Sequence, residues 1–155
     1  MDKDEKGAAV KFPPPLIFVI CIVIGYLIDL ALPLSVTLLP GRVYLAALAL
    51  FVGLALILGA VFALKRARTS IEPWKPTSNI VNSGVFALSR NPIYVAFIFI
   101  SIAIGLFINN LWIIVFSGVA AVLVFYIAIN KEERYLTEKF RGEYSDYCTR
   151  VRRWL

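Results

Sequence analysis

The chain has 155 residues, of which 60% are hydrophobic and only 17% charged, with a formal net charge of +6. About a quarter of the residues of a soluble domain are charged, so this composition excludes disorder and an ordinary water-soluble domain, and it predicts an integral membrane protein. Histidine is absent, which excludes His-based catalytic dyads and the usual ligand of zinc and haem sites, so we predict no metal site.

Four apolar stretches approach the length of about 20 residues that a helix needs to cross a bilayer. They cover residues 16–32, 43–64, 93–108 and 111–129. The pair Asn109-Asn110 between the last two predicts a tight helical hairpin. We therefore predict a single all-α domain over residues 1–155, an integral membrane four-helix bundle with a long loop between its second and third spans.

The basic residues are distributed unevenly about these spans. Fifteen of the 16 Lys and Arg residues lie before the first span (Lys3, Lys6 and Lys11), between the second and third spans, or after the fourth; the exception is Arg42. The positive-inside rule then predicts a multi-pass protein with both termini and the middle loop in the cytoplasm. The same residues would contact anionic membrane lipids, so we predict no nucleic-acid binding.

The middle loop ends in the run Ser89-Arg90-Asn91-Pro92-Ile93-Tyr94. Asn is a favoured N-cap residue and Pro suits the first helical position, so the third span should begin here. A helix N-terminus offers unpaired N–H groups to an anion, and Arg90 adds further donors beside them. An ordinary helix cap with a snorkelling arginine and an interfacial tyrosine explains the same run without a ligand.

The tail, residues 131–155, begins with the acidic pair Glu132-Glu133 where the fourth span leaves the bilayer. Such a pair could bind a cation or simply pair with nearby Lys and Arg side chains. Apolar residues then recur at helical spacing, which predicts an amphipathic helix that is interrupted at Gly142. They are Leu136, Phe140, Tyr144, Tyr147 and Val151.

The predicted hairpin brings these two polar segments together, because the start of its first helix lies beside the end of its second. Arg90 should therefore lie close to Glu132 and Glu133 at the cytoplasmic rim of the membrane. Cationic and acidic groups side by side suit a zwitterion, whose carboxylate would bind at Arg90 and whose ammonium or sulfonium would bind at the acids or at an aromatic face. Such a site could join a lipophilic substrate from the bilayer to a water-soluble donor.

The same segments resemble the membrane methyltransferases of the isoprenylcysteine carboxyl methyltransferase and phospholipid methyltransferase superfamily. The resemblance is close from Ile80 to Leu155 and loose from Pro13 onward. The matching motifs are Ile80-Val81-Asn82-Ser83-Gly84-Val85-Phe86, Arg90 to Tyr94, Glu132 to Leu136, Phe140 with Tyr144 and Tyr147, and Val151 with Arg153 and Trp154. The order and spacing of these motifs make the resemblance specific.

This resemblance implies S-adenosylmethionine as the methyl donor and S-adenosylhomocysteine as the product. It implies catalytic roles for Arg90, Glu132 and Glu133, with Glu132 on the substrate side. The residues implied to contact the donor are Ile80, Val81, Phe86, Asn91, Pro92, Ile93 and Tyr94.

Four residues depart from the family pattern: Phe86 replaces a Tyr, Asn91 replaces the His of one branch, Arg141 replaces a Gly, and Ala128 stands where the prenylcysteine branch carries an Arg. The last departure argues against a prenylcysteine substrate. We expect methyl transfer to a lipophilic or membrane-bound acceptor such as a carboxylate, which needs no general base. The alternatives are N-methylation of a phospholipid ethanolamine headgroup and a non-catalytic membrane scaffold or transporter subunit. The sequence does not indicate the oligomeric state.

Overall fold

The computed structural model describes residues 7–10, 12–36 and 39–155, a part of the chain that contains helices and no strand. Lys3, Lys6 and Lys11, which contribute to the predicted topology, lie outside these residues. The helices are α1 (Pro14–Ala31), α2 (Arg42–Arg66), α3 (Pro92–Phe107), α4 (Leu111–Val124), α5 (Asn130–Phe140) and α6 (Gly142–Arg150). A 3₁₀ turn covers Gly84–Ala87 and a π turn covers Phe125–Ile129. The predicted all-helical fold is thus confirmed.

Three helical segments are long and apolar enough to cross a membrane: Pro14–Ala31, Arg42–Arg66 and Leu111–Phe140. Helix α3 is equally apolar but has only 16 residues, which gives a length of about 24 Å. All four predicted apolar stretches are therefore helical, three of them within helices long enough to cross a membrane, and their starts agree with the structure within two residues. Past residue 129, where the sequence predicts the end of the fourth span, the backbone stays helical through the π turn into α5.

The chain forms two compact units. The hairpin unit consists of Pro14–Ala55 and Tyr94–Val124, and the tail unit consists of Leu56–Ile93, Phe125–Leu155 and the described part of Met1–Pro13. Both units draw on α2, α3 and the long helix that begins at Leu111. The four-helix bundle and the cytoplasmic location of the termini remain predictions.

Within the hairpin unit, the turn between α3 and α4 has the geometry that its asparagines favour. Asn109 adopts a left-handed backbone with φ of 64°, a conformation that asparagine tolerates better than most residues. The Asn110 side-chain oxygen accepts a hydrogen bond of 3.0 Å from the Ile113 N–H and so caps the first turn of α4. The short turn that the sequence predicts between these two helices is therefore present.

Close approach of helices in the hairpin unit depends on small residues. A Cβ atom at Gly25 of α1 would lie 2.9 Å from the Ile113 backbone nitrogen of α4. A Cβ atom at Gly53 of α2 would lie 3.0 Å from the Ala96 carbonyl oxygen of α3. Glycine at these positions lets the helix backbones approach at distances that favour association in lipid.

The tail unit has its own apolar core of Tyr144, Tyr147 and Val151, against which Ile80, Leu136, Phe140 and Cys148 pack. All five residues of the predicted apolar stripe therefore lie in or against one core. The stripe runs along two helices rather than one, because the backbone turns at Arg141, which has φ of 43° and ψ of −114°. Gly142, where the sequence suggested the interruption, is the first residue of α6.

Arg141→Gly is expected to stabilise the protein by about 1 kcal/mol, because a positive φ strains every residue with a side chain but not glycine. Thermal unfolding in detergent measures the change. Arg134→Gly, in the middle of α5, is the matched control and should destabilise by about 1 kcal/mol, since glycine has low helix propensity. Equal losses in both variants would show that Arg141 is not strained.

Candidate active site

The loop that leads into α3 is bound to the end of the tail by hydrogen bonds to main-chain carbonyl oxygens. The Arg90 N–H donates to the Arg152 carbonyl oxygen at 2.9 Å. The carbonyl oxygen of Arg153 accepts from the Ser89 hydroxyl at 3.3 Å and from the Asn91 side-chain nitrogen at 3.0 Å. Segments about sixty positions apart in sequence are thus adjacent, with Ser89 and Asn91 both buried.

The predicted neighbours Arg90 and Glu133 form an ion pair in the tail unit. Arg90 Nη1 lies 3.2 Å from Glu133 Oε1, and the two side chains are only 13% and 16% exposed. Such burial makes the pair far less screened by salt than an ion pair in solvent. The prediction that the basic cap and the acidic pair meet is confirmed for Glu133; Glu132 is the preceding residue of α5 and is half-buried.

A second arginine binds the same carboxylate. Arg153 Nε donates to Glu133 Oε1 at 2.9 Å, and Arg153 Nη2 donates to Oε2 at 2.8 Å. This paired geometry is the strong form of an arginine–carboxylate contact, and the hydrogen bond to Glu133 raises the pKa of Arg153. The Arg153 Cζ atom also lies 5.0 Å from the centre of the Phe125 ring, within the range of a cation–π contact.

Sequence reasoning missed Arg153 and Phe125 as members of this cluster. Arg153 belongs to one of the family motifs, which marked it as a residue of interest but did not indicate that it binds Glu133. Phe125 stood within an apolar span, where one aromatic residue among many carries no signal. Its place in the π turn is a feature that periodicity does not reveal, although π turns often mark functional sites.

Two buried tyrosines and a cysteine complete the cluster. The Tyr147 hydroxyl donates to the Phe86 carbonyl oxygen at 2.6 Å, and Arg90 Nη1 donates to Cys148 Sγ at 2.7 Å. Burial raises the pKa of Tyr147, and burial together with the charge of Glu133 raises the pKa of Tyr144. Both phenols are therefore neutral at physiological pH.

The other predicted donor-binding residues lie at the start of α3 or on the loop before it. Asn91 and Pro92 are buried, while Ile80, Val81, Phe86 and Ile93 are half-buried. All six belong to the tail unit with Arg90, Glu132 and Glu133. Tyr94 is buried but is the first residue of its segment in the hairpin unit, so the structure brings nine of the ten predicted residues into one unit.

The cluster suits an anionic ligand. Arg90 and Arg153 both contact the carboxylate of Glu133. The Arg90 Nε atom is buried and has no hydrogen-bond partner among the described residues, although a buried donor left unsatisfied carries a substantial desolvation cost. An oxyanion that accepted from Arg90 would remove that cost. These residues fit a donor that has a carboxylate, as S-adenosylmethionine does.

Comparison with known proteins identifies the family. The family model for phospholipid methyltransferase matches residues 41–143, which include Arg90, Glu133 and every predicted donor-binding residue. No curated protein matches the chain. The resemblance drawn from the sequence motifs is thereby confirmed, and an enzyme is favoured over a non-catalytic scaffold or transporter subunit. The chain belongs to the phospholipid methyltransferase family and is an integral membrane methyltransferase.

Proposed function

We propose that the protein transfers a methyl group from S-adenosylmethionine to the amine headgroup of a membrane phospholipid. The observation that carries this proposal is the match to phospholipid methyltransferases over residues 41–143, which contain both members of the buried Arg90–Glu133 pair. This acceptor was the alternative in the sequence analysis. The unsatisfied Nε donor of Arg90 supports it, because a phospholipid carries a phosphate next to its amine.

The same Arg90 donor favours a second candidate, in which the acceptor is a lipophilic carboxylate. A carboxylate is already ionised and would need no proton acceptor. An ammonium headgroup must lose a proton before its nitrogen lone pair can form the new N–C bond. Glu133 is bound by both arginines, and the resemblance implies that Glu132 lies on the substrate side. We therefore propose Glu132 as the proton acceptor.

The chain's own residues would hold the two reactants. S-adenosylmethionine, when bound, supplies an electrophilic methyl group on a positively charged sulfur. We propose that Arg90 binds an oxyanion and that the start of α3 with the Ile80–Phe86 segment surrounds the rest of the donor. Alignment of acceptor and methyl group can contribute several kcal/mol to the barrier reduction.

Labelled methyl transfer into defined vesicles tests the acceptor. We expect incorporation into phosphatidylethanolamine and none into phosphatidylcholine, whose nitrogen is fully methylated. Label in a fatty acid, with none in phosphatidylethanolamine, would instead support the carboxylate candidate. Incorporation into neither, by protein that binds S-adenosylhomocysteine, would contradict both.

Glu132→Gln is expected to lower kcat for the amine acceptor by about a hundredfold or more, which is the usual contribution of a positioned proton acceptor. Glutamine keeps the shape of the side chain, so the midpoint of thermal unfolding should not change. Glu143→Gln, at an exposed position of α6, is the matched control and should retain the parent rate. A Glu132→Gln variant with parent kcat would remove Glu132 from the mechanism.

We also propose that both termini and the loop between α2 and α3 face the cytoplasm, as the distribution of basic residues supports. Cys148 provides a direct test, since it is half-buried near the end of the tail. In cells, a membrane-impermeant thiol reagent should label Cys148 only after the membrane is opened. Labelling of intact cells would place the tail outside, and Cys148→Ser gives the background.

A further inference from the structure

The Glu133 carboxylate is shared unequally between its two arginines. Arg153 contacts both oxygens: its Nε lies 2.9 Å from Oε1, and its Nη2 lies 2.8 Å from Oε2. Arg90 contacts only Oε1, through Nη1 at 3.2 Å. Arg90 Nε, on the edge of the guanidinium that faces away from Nη1, is the buried donor that has no partner within the described part of the chain.

This division determines what Arg90 can do. A guanidinium and a carboxylate without competitors pair through two parallel hydrogen bonds. If Arg153 did not occupy both oxygens, Glu133 could turn to pair with the Arg90 guanidinium in that way. The Arg90 charge would then be fully compensated, and little attraction for a ligand would remain.

We propose that Arg153 is a positioning residue, which holds Glu133 in a two-point contact and thereby keeps Arg90 available to an oxyanion of the reactants. The oxyanion is either the carboxylate of the methyl donor or the phosphate of the lipid acceptor. This inference rests on the proposed function for the assignment of Arg90 to a reactant. It adds a role for Arg153, which touches neither reactant in this scheme.

Arg153 is itself firmly held, as a positioning residue must be. Its carbonyl oxygen is bound by Ser89 and Asn91, and its guanidinium lies over the Phe125 ring at 5.0 Å. Its side chain is 38% exposed, whereas that of Arg90 is 13% exposed. The more exposed arginine thus takes both carboxylate oxygens, and the more buried one keeps an unsatisfied donor.

Calorimetry of ligand binding in detergent tests the proposal with two probes that differ in one feature. S-adenosylhomocysteine has a carboxylate, whereas methylthioadenosine lacks the amino-acid portion of the donor. If the oxyanion is the donor carboxylate, Arg153→Gln should weaken S-adenosylhomocysteine binding about tenfold or more, as expected for a hydrogen bond to a charged group. Methylthioadenosine binding should not change.

The lipid source gives a different result. If the oxyanion is the lipid phosphate, Arg153→Gln should leave binding of both probes unchanged and raise KM for phosphatidylethanolamine about tenfold, with kcat little altered. Two outcomes would overturn the proposal. One is equal weakening of both probes, which indicates general damage to the site, and the other is no change in either binding or KM.

A double variant separates positioning from direct contact. If Arg153 acts by restraining Glu133, then adding Glu133→Gln to Arg153→Gln should restore at least part of the lost affinity, because no carboxylate remains to neutralise Arg90. The two changes would then be strongly non-additive. Losses that simply add would show that Arg153 contributes by itself, contrary to the proposal.

Two further variants serve as controls. Arg152→Gln changes the neighbouring, exposed arginine and should leave binding and KM unchanged. Arg153→Lys keeps the charge but loses the paired Nε and Nη2 donors, so it should fold like the parent and reproduce the defect of Arg153→Gln. Full affinity in Arg153→Lys would show that the two-point contact with Glu133 is not required. Because probe binding is measured without an acceptor, failure of the lipid assay with the parent protein would count against the proposed function alone.

Discussion

Glu133→Gln is expected to destabilise the protein by about 2–3 kcal/mol. The substitution leaves Arg90 and Arg153 facing each other without the anion that bridges them. Loss of one partner of a buried ion pair costs about 3–5 kcal/mol, and the partial exposure of Arg153 places this case at or below the low end. Thermal or denaturant unfolding in detergent measures the effect.

Glu138→Gln is the matched control, because it changes a glutamate on the same helix. Its partner Arg134 lies one turn away at 3.1 Å, but the two side chains are 45% and 83% exposed. Exposed pairs at this spacing contribute about 0.5 kcal/mol or less. If the two variants lost the same stability, the buried cluster of Arg90, Glu133 and Arg153 would not be a main source of stability in the tail unit.

Gly25→Ala is expected to cost about 2–3 kcal/mol, as an overpacked interface does. The added Cβ atom would lie 2.9 Å from the backbone nitrogen of Ile113 and 3.0 Å from its Cα. These atoms belong to the backbone of α4 and cannot move aside as a side-chain end could, so α1 and α4 must separate. The unfolding midpoint in detergent should fall accordingly.

Gly118→Ala, on α4, provides the comparison. An added Cβ atom there would meet no atom of the described residues within 4 Å. Alanine also has the higher helix propensity, by about 1 kcal/mol, so this variant should be as stable as the parent or slightly more so. Destabilisation by Gly118→Ala to the same degree would show that glycine on these helices serves a purpose other than close packing.

Much of the fold follows from the sequence because it depends on local chemistry. Apolar runs of membrane length fix where the spans lie, and Asn109 and Asn110 mark the turn because their side chains favour a left-handed backbone and a helix cap. The contact between Arg90 and Glu133 was also predictable. A short turn makes its two helices run antiparallel, so the start of the first is expected near the end of the second.

The parts that were missed depend on contacts distant in sequence. Arg153 binds Glu133 across twenty positions, and only the folded tail shows that it takes both carboxylate oxygens. The helix break occurs at Arg141, a residue with no intrinsic preference for a positive φ. Glycine has that preference, so the sequence predicted the break one residue later, at Gly142. Continuity of the helix past residue 129 was missed because polarity changes there and helicity does not.

The π turn at Phe125–Ile129 has a consequence for how related chains could vary in length. Buried positions along α4 recur at steps of four, three and four and end at Val124; Ile129, Glu133, Leu136 and Phe140 then continue the same steps. Ala128 and Ile129 are both buried, whereas a regular repeat of four from Val124 reaches only Ala128. The turn therefore acts as a one-residue insertion, and a relative that lacked it could keep both series on an uninterrupted α-helix.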